Sequence, residues 1–163
     1  MAARVIYFGC DDCYRVPVLR NAGYEVHQLE SLDELSIDLQ QNQVDAVIVS
    51  EDDGQAAGRA ITLAREQTTA PLILFRRSAG ELDENRLCDQ VYWPGVRAED
   101  WLSQTADLIA LCRESRKQSL AIQAQSQQLR REAQSVREES RRQRERAHVE
   151  SVQRPQRPNT ENR

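Results

Sequence analysis

The sequence predicts an α/β fold in which helices cover both faces of a parallel sheet, with one long helix at the end of the chain. Three observations lead to this prediction. The large apolar residues occur in short uninterrupted runs, as in strands that are buried on both faces. Segments with helical periodicity separate these runs. Finally, neither glycine nor proline interrupts residues 98–152, so a single helix can run through this segment.

The predicted elements follow one another as β-α units. Strands are predicted at residues 5–8, 24–29, 44–49, 71–75 and 90–93. Helices are predicted at residues 13–22, 31–42 and 54–67 and from about residue 98 onward. Gly23 suits the end of the first helix because it tolerates positive φ, and Ser31 and Glu34 have capping-box spacing. This order favours a flavodoxin-like, doubly wound sheet with strand order 2-1-3-4-5, whose sites gather at the carboxyl ends of the strands.

Charge divides the chain into parts. Residues 1–112 contain 9 basic and 19 acidic side chains, which gives a net charge of -10. Residues 113–163 contain 13 basic and 7 acidic side chains, which gives a net charge of +6. Almost all large apolar residues precede Leu111. We therefore predict one α/β domain at residues 1–112, a helical coiled-coil extension at 113–152, and a disordered basic tail at 153–163.

The location of the protein is predicted from its N-terminus and its apolar content. The first residues lead straight into a strand, without the apolar core and cleavage site of a secretory signal. No segment approaches the roughly 18 apolar residues that span a bilayer. In such a chain, four cysteines are most simply reduced thiols. These features predict a cytoplasmic protein with no membrane association.

Four segments together resemble the response-regulator receiver (CheY-like) family over about residues 4–112. They are residues 22–26 (AGYEV), 44–49 (VDAVIV), 70–74 (APLIL) and 88–94 (CDQVYWP). Their order and spacing are similar to the link into the second strand and to the third, fourth and fifth strands of that family. The resemblance implies a CheY-like fold and a role in two-component signal transduction or a phosphorelay. It also implies signalling proteins as partners, for example a histidine kinase or another regulator.

The positions that carry phosphoryl chemistry in receivers hold other residues here. The resemblance aligns Gly9 and Cys10 with the acidic pair that holds Mg²⁺, and Ser50 with the phosphoacceptor aspartate. Arg76 aligns with the Thr or Ser that contacts the phosphoryl group, and Trp93 with the lysine that neutralises its charge. A serine hydroxyl cannot form an acyl phosphate, and phosphoryl transfer depends on metal and cation stabilisation of charge. We therefore predict a pseudo-receiver: a signalling adaptor with no enzymatic activity, catalytic residue or cofactor.

Acidic side chains crowd the predicted site, and two interpretations of them remain open. Asp11, Asp12, Asp52 and Asp53, with Glu51 beside them, offer the oxygen ligands that divalent ions prefer. An acidic loop of this kind is more often simply solvated, so the sequence favours no bound metal.

Arg76 and Arg77 are the cations expected beside these carboxylates. We predict ion pairs that replace the missing metal and lysine. Exposed pairs of this kind contribute less than about 1 kcal/mol. For Trp93 the sequence leaves two roles open: a docking residue for a partner protein and a cover for the edge of the sheet.

Cys10 and Cys13 support a different hypothesis. A C-x-x-C pair between a strand and a helix is where thioredoxin-like thiol-disulfide oxidoreductases carry their redox couple. Two features count against it. Two complete β-α units separate Cys13 from Pro71, one more than that fold usually has. Asp11 and Asp12 also disfavour a neighbouring thiolate by like-charge repulsion. The other two cysteines form no second C-x-x-C pair, which argues against a zinc site.

The long predicted helix carries a heptad repeat. Its d positions hold mostly larger residues: Trp101, Leu108, Ser115, Ile122, Leu129, Val136 and Gln143. Its a positions hold small residues: Thr105, Cys112, Ser119, Ser126, Ala133, Ser140 and Ala147. Because small residues bury little area, we predict a weak parallel homodimer. Its seam is predicted to consist of Leu108, Ile122, Leu129 and Val136. The alternative is a solvated single helix. Arg and Glu are interleaved and no DNA-binding module is present, so a nucleic-acid partner is not expected.

Overall fold

A computed structural model describes residues 2–51, 54–77 and 83–153. The chain divides into two compact units, Met1–Arg116 and Lys117–Arg163. The tail predicted to be disordered lies outside the described residues, apart from its first residue, Gln153, which ends the last helix.

The sheet of the first unit has five parallel strands in the order β2-β1-β3-β4-β5. The strands are β1 Arg4–Phe8, β2 Glu25–Leu29, β3 Ala46–Ser50, β4 Leu72–Phe75 and β5 Gln90–Tyr92. The predicted fold class and strand order are both confirmed. Strands β1, β3 and β4 lie in the middle, and almost all of their side chains are buried, as expected of continuous apolar runs.

In the part of the chain that the structure describes, four helices and one 3₁₀ turn connect and follow the strands. The helices are α1 Arg15–Asn21, α2 Leu32–Gln41, α3 Gly54–Gln67 and α4 Ala98–Gln153, and the 3₁₀ turn is Asp83–Leu87. The Ser31 hydroxyl accepts a hydrogen bond from the backbone N–H of Asp33, so the predicted start of the second helix is confirmed.

The alternation of side chains along the strands produces two apolar layers. On one face, Tyr7, Ile48 and Phe75 pack with residues of α1 and of the start of α4, among them Leu19 and Trp101. On the other face, the intervening strand residues pack against α2 and α3; this layer includes Ile6, Val47, Leu74, Leu35 and Ile61. Full burial of each such side chain contributes about 1.5–3 kcal/mol, so these two layers stabilise the sheet and the positions of its strand ends.

Helix α1 begins later than predicted. The sequence places its start at Cys13, whereas the helix starts at Arg15. The reason is Asp11, whose two carboxylate oxygens accept hydrogen bonds from the backbone N–H groups of Arg15 (2.7 Å) and Val16 (2.8 Å). These N–H groups belong to the first turn of a helix, which has no internal acceptor for them. Asp11 therefore stabilises the start of the helix from four residues upstream.

The first unit includes the start of α4, as far as Arg116, and this part of the helix is tied to the sheet. The Arg113 guanidinium donates two hydrogen bonds to the Asp45 carboxylate, at 2.8 and 2.6 Å. Arg116 donates to the backbone oxygen of Val44 at 3.0 Å. The two hydrogen bonds from Arg113 hold the pKa of Asp45 below its usual range. Asp45 precedes β3, so these bonds fasten α4 at the amino edge of the sheet.

Candidate functional site

A cleft of about 230 Å³ opens at the carboxyl edge of the sheet, and we call it the edge cleft. Its lining includes Arg15, Ser50, Glu51, Arg76 and Arg77. Because the strands are parallel, the ends of β1, β3, β4 and β5 meet at this edge. The position of the edge cleft agrees with the sequence prediction.

Ser50 is the last residue of β3 and pairs with Phe75 of β4. It is buried beside the Tyr7 hydroxyl, to which it is hydrogen-bonded. Burial raises the pKa of Tyr7. The Arg15 guanidinium lies 3.4 Å from the same hydroxyl and donates to it. The hydroxyl of Ser50 is thus part of a hydrogen-bonded group at the floor of the edge cleft.

A buried ion pair lies next to Ser50. Arg76 is only 2% exposed and Glu51 only 9%. The Arg76 Nε donates to Glu51 Oε2 at 2.7 Å, and its Nη1 donates to Asn85 Oδ1 at 3.1 Å. The same Glu51 oxygen accepts the backbone N–H of Arg77 at 2.8 Å. The charge of Arg76 is therefore neutralised inside the protein by a carboxylate that is itself held by two donors.

This pair corrects one sequence prediction. Ion pairs were expected here, but they were expected to be exposed and weak. The Arg77–Asp12 pair fits that expectation, with 3.6 Å between charged atoms and both side chains largely exposed. The Arg76–Glu51 pair does not, because removing one partner of a buried pair leaves an uncompensated charge and costs about 3–5 kcal/mol.

Two aromatic rings lie against the cations of the edge cleft. The Arg15 guanidinium stands over the Phe75 ring, 4.1 Å from its centroid. The Arg76 guanidinium lies 5.4 Å from the centroid of Trp93, which follows β5 and is 47% exposed. Both distances are typical of cation–π contacts. Trp93 therefore lies against the buried arginine and is partly exposed to solvent. Its two predicted roles, as a docking residue and as a cover for the edge of the sheet, stay predictions.

The acidic residues of the predicted cluster are not all described. Asp52 and Asp53 lie outside the described residues. Asp11 caps α1, and Asp12 accepts a hydrogen bond from the Cys10 thiol at 3.1 Å. Within residues 2–51, 54–77 and 83–153, no three His, Cys, Asp or Glu side chains come close enough to hold a metal ion. Metal binding by the four aspartates together stays untested.

The remaining receiver-type positions and the cysteine pair lie in the loop after β1. Gly9 directly follows the last strand residue, Phe8, and has φ of 107°, a conformation that favours glycine. Cys10 and Cys13 follow, and both are exposed. Between Cys13 and β4 the structure places two full units, β2–α2 and β3–α3. The feature that argued against a thioredoxin-like fold is therefore present, and the fold expected by that hypothesis is wrong.

Sequence reasoning expected Arg76 to pair with a neighbouring carboxylate, but it missed the burial of that pair and one further contact of the edge cleft. The sequence contained a signal for the pairing of Glu51 with Arg76. Glu51 directly follows β3 and Arg76 directly follows β4, and these two strands pair with Ser50 opposite Phe75. A register prediction would have placed them side by side. The Arg15–Phe75 contact had no such signal, since it depends on how α1 packs across the sheet.

The predicted dimer seam divides between the two units. Trp101 and Thr105 are buried in the first unit, and Leu108 is partly buried against the same apolar layer. The first heptads of the repeat therefore serve the core of the domain. In the second unit, Ile122, Leu129 and Val136 are exposed. Among the described helices, α4 included, none has the length and apolarity to cross a membrane.

Comparisons with solved structures identify the fold. A response regulator from Thermotoga maritima matches with a TM-score of 0.56 and 13% identity, over 68% of this chain and 99% of its own. The receiver domain of the sensor histidine kinase PA1611 from Pseudomonas aeruginosa was solved with a magnesium ion in its active-site cleft. It matches with a TM-score of 0.53 and 15% identity, over 68% of this chain and 99% of its own. The chemotaxis response regulator CheY4 of Vibrio cholerae matches with a TM-score of 0.54 and 17% identity, over 66% of this chain and 99% of its own. No protein-family model and no curated protein matches the sequence.

The chain therefore has the fold of response-regulator receiver domains, as the resemblance in its sequence predicted. At these identities the likeness concerns the fold alone.

Proposed function

We propose that this protein is a receiver-like signalling module that accepts no phosphoryl group and acts through protein–protein contacts in a two-component-type pathway. The main observation in support of this proposal is the buried Arg76–Glu51 ion pair beside Ser50. Ser50 ends the strand on which receivers carry their phosphoacceptor aspartate, and the neighbouring cation is already neutralised by a carboxylate.

The chemistry of the edge cleft supports this proposal. Phosphoryl transfer needs positive charge that is available to the developing phosphoryl oxygens. Of the two residues that align with the phosphoryl-contacting positions of receivers, Arg76 is committed to Glu51 and Asn85, and the ring of Trp93 supplies no charge. An acyl phosphate also needs a carboxylate, and the residue at the end of β3 offers a hydroxyl. The protein is accordingly not an enzyme in this proposal, and it uses no metal or cofactor.

Two surfaces are available to partners in this proposal. One is the exposed part of Trp93 at the rim of the edge cleft, where a large aromatic ring can anchor another signalling protein, such as a histidine kinase or regulator. The other consists of Ile122, Leu129 and Val136 on α4, through which we infer weak self-association. We place the protein in the cytoplasm, with neither membrane nor nucleic acid among its partners.

The proposal is tested by the effect of a phosphodonor on stability. A ligand that binds only the folded state raises the free energy of unfolding by mass action. We expect urea unfolding of the full chain to be the same in buffer, with Mg²⁺ alone, and with Mg²⁺ and acetyl phosphate. A receiver domain with its phosphoacceptor aspartate, treated identically, is the positive control. Stabilisation of this chain that requires both Mg²⁺ and acetyl phosphate would contradict the proposal.

A further inference from the structure

Charged residues flank the exposed apolar residues of the second unit in a regular pattern. With Ile122, Leu129 and Val136 at d, the g positions hold Glu132 and Glu139. The e positions hold arginines at 130, 137 and 144. All of these side chains are exposed on α4. One flank of the apolar stripe is therefore acidic over two heptads, and the other flank is basic.

The acidic flank of one copy of α4 can face the basic flank of a second copy in only one relative orientation of the two helices. In a parallel, in-register coiled coil, a g residue of one helix faces the e residue five positions later on the other helix. Glu132 then faces Arg137 of the second copy, and Glu139 faces Arg144. Each contact occurs twice because the two chains are equivalent, so the dimer contains four pairs of opposite charge. The large d residues face their own counterparts across the seam.

The same pattern opposes the other orientation. In an antiparallel coiled coil, g residues face g residues and e residues face e residues. Glutamate would then face glutamate around Glu132, and arginine would face arginine around Arg130. Like charges across an interface select against the wrong partner and the wrong register. The small a residues bury too little area to override this preference by packing.

We propose that Glu132, Arg137, Glu139 and Arg144 determine the specificity of α4, so that it binds a second copy of this chain in parallel and in register. This inference rests on the proposed self-association and adds its orientation and the residues that select it. Since the pairs lie at the exposed rim, salt screens them. Selectivity is therefore strongest at low ionic strength and weakens as salt is added.

The test uses two full-length variants. The first, Glu132→Arg/Glu139→Arg, makes both flanks basic, and we expect its self-association to be weaker than that of the wild type by roughly tenfold at low salt. The second adds Arg137→Glu and Arg144→Glu and so exchanges the two flanks. It restores all four pairs within a parallel homodimer, and we expect it to self-associate as the wild type does. Circular dichroism checks that both variants keep the helix.

Mixing the wild type with the exchanged variant separates the two orientations. In a parallel dimer the mixed species would bring glutamate against glutamate and arginine against arginine, so the two proteins should sort into homodimers. Energy transfer between donor-labelled wild type and acceptor-labelled variant should then stay at the level of unmixed controls. Preferential mixing would indicate antiparallel pairing and overturn the inference. A wild type that is monomeric throughout would instead refute the proposed self-association, and this inference with it.

Discussion

At the scale of single residues, the edge cleft depends on a balance between a buried cation and the groups that hold it. Arg76 has a carboxylate, an amide oxygen and an aromatic ring around its guanidinium. Each of these contacts compensates part of the cost of removing the charge from water. The same contacts leave little of that charge for a ligand. Structural stabilisation and the proposed loss of phosphoryl chemistry therefore have a common cause.

The first prediction concerns this pair. We expect Glu51→Ala to lower the free energy of unfolding by about 3 kcal/mol or more, because Arg76 would remain buried without its partner. The matched control is Arg77→Ala, which removes the exposed pair with Asp12 and should cost less than about 1 kcal/mol. Urea unfolding at neutral pH measures both. Equal and small effects would show that the Arg76–Glu51 pair does not stabilise the fold.

The second prediction concerns the cysteine pair, which we expect not to act as a redox couple. The Cys10 thiol donates a hydrogen bond to the Asp12 carboxylate at 3.1 Å, and the fold around it is not the thioredoxin-like one. Insulin reduction by the wild type and by Cys10→Ser should therefore proceed at the same background rate. Activity of the wild type that disappears in Cys10→Ser would establish a redox function on the receiver fold.

At the scale of elements, the sequence predicts features that depend on residues close together in the chain. It misses features that depend on packing between distant segments. Uninterrupted apolar runs identified the strands, and the spacing of Ser31 and Glu34 identified the start of α2. The start of α1 was misplaced because its cap, Asp11, lies upstream of the helical pattern. In the same way, the burial of Glu51 could not be read from one strand, since it depends on the layers around the edge cleft.

The third prediction tests the attachment of α4 to the sheet. The pKa of Asp45 is lowered by its hydrogen bonds from Arg113. A carboxyl group with a lowered pKa stabilises the fold above its unfolded pKa of about 3.9, and this contribution is lost as the pH falls through the folded pKa. We expect Asp45→Asn to be less stable than the wild type at about pH 7.

The difference between wild type and Asp45→Asn should then shrink as the pH falls below about 4, because the wild-type carboxyl becomes protonated. Urea unfolding at a series of pH values measures this change. Asp107→Asn, an exposed substitution on the same helix, is the control for the loss of a surface carboxylate. A constant difference between Asp45→Asn and the wild type at every pH would contradict the account of this contact.

At the scale of the whole molecule, the chain has two units with different roles. The first is acidic and folds around a sheet, and its core uses the earliest heptad residues of α4. The second is basic and presents the later heptad residues to solvent. One continuous helical pattern thus serves folding in its first part and, in our proposal, association in its second.

The fourth prediction tests self-association through the second unit. Replacing Leu129 with Lys places a charge in the middle of the seam, so we expect the dimer to be lost while the first unit stays folded. The control is Leu120→Lys, which adds the same charge on an exposed leucine of α4 outside the seam. Sedimentation equilibrium should report a dimer for Leu120→Lys and a monomer for Leu129→Lys. The same oligomeric state for both variants would show that Leu129 does not lie in the interface.

The central claim, that a receiver fold here lacks phosphoryl chemistry, is tested most directly by intact-protein mass spectrometry after incubation with Mg²⁺ and acetyl phosphate or a phosphorylated histidine kinase. We predict no added phosphate on this chain, while a receiver domain with its phosphoacceptor aspartate is labelled in the same reaction. Hydroxylamine, which cleaves acyl phosphates and spares phosphoserine, distinguishes a carboxylate acceptor from Ser50. A hydroxylamine-labile phosphate on Asp11, Asp12, Asp52 or Asp53, or a stable one on Ser50, would contradict the claim.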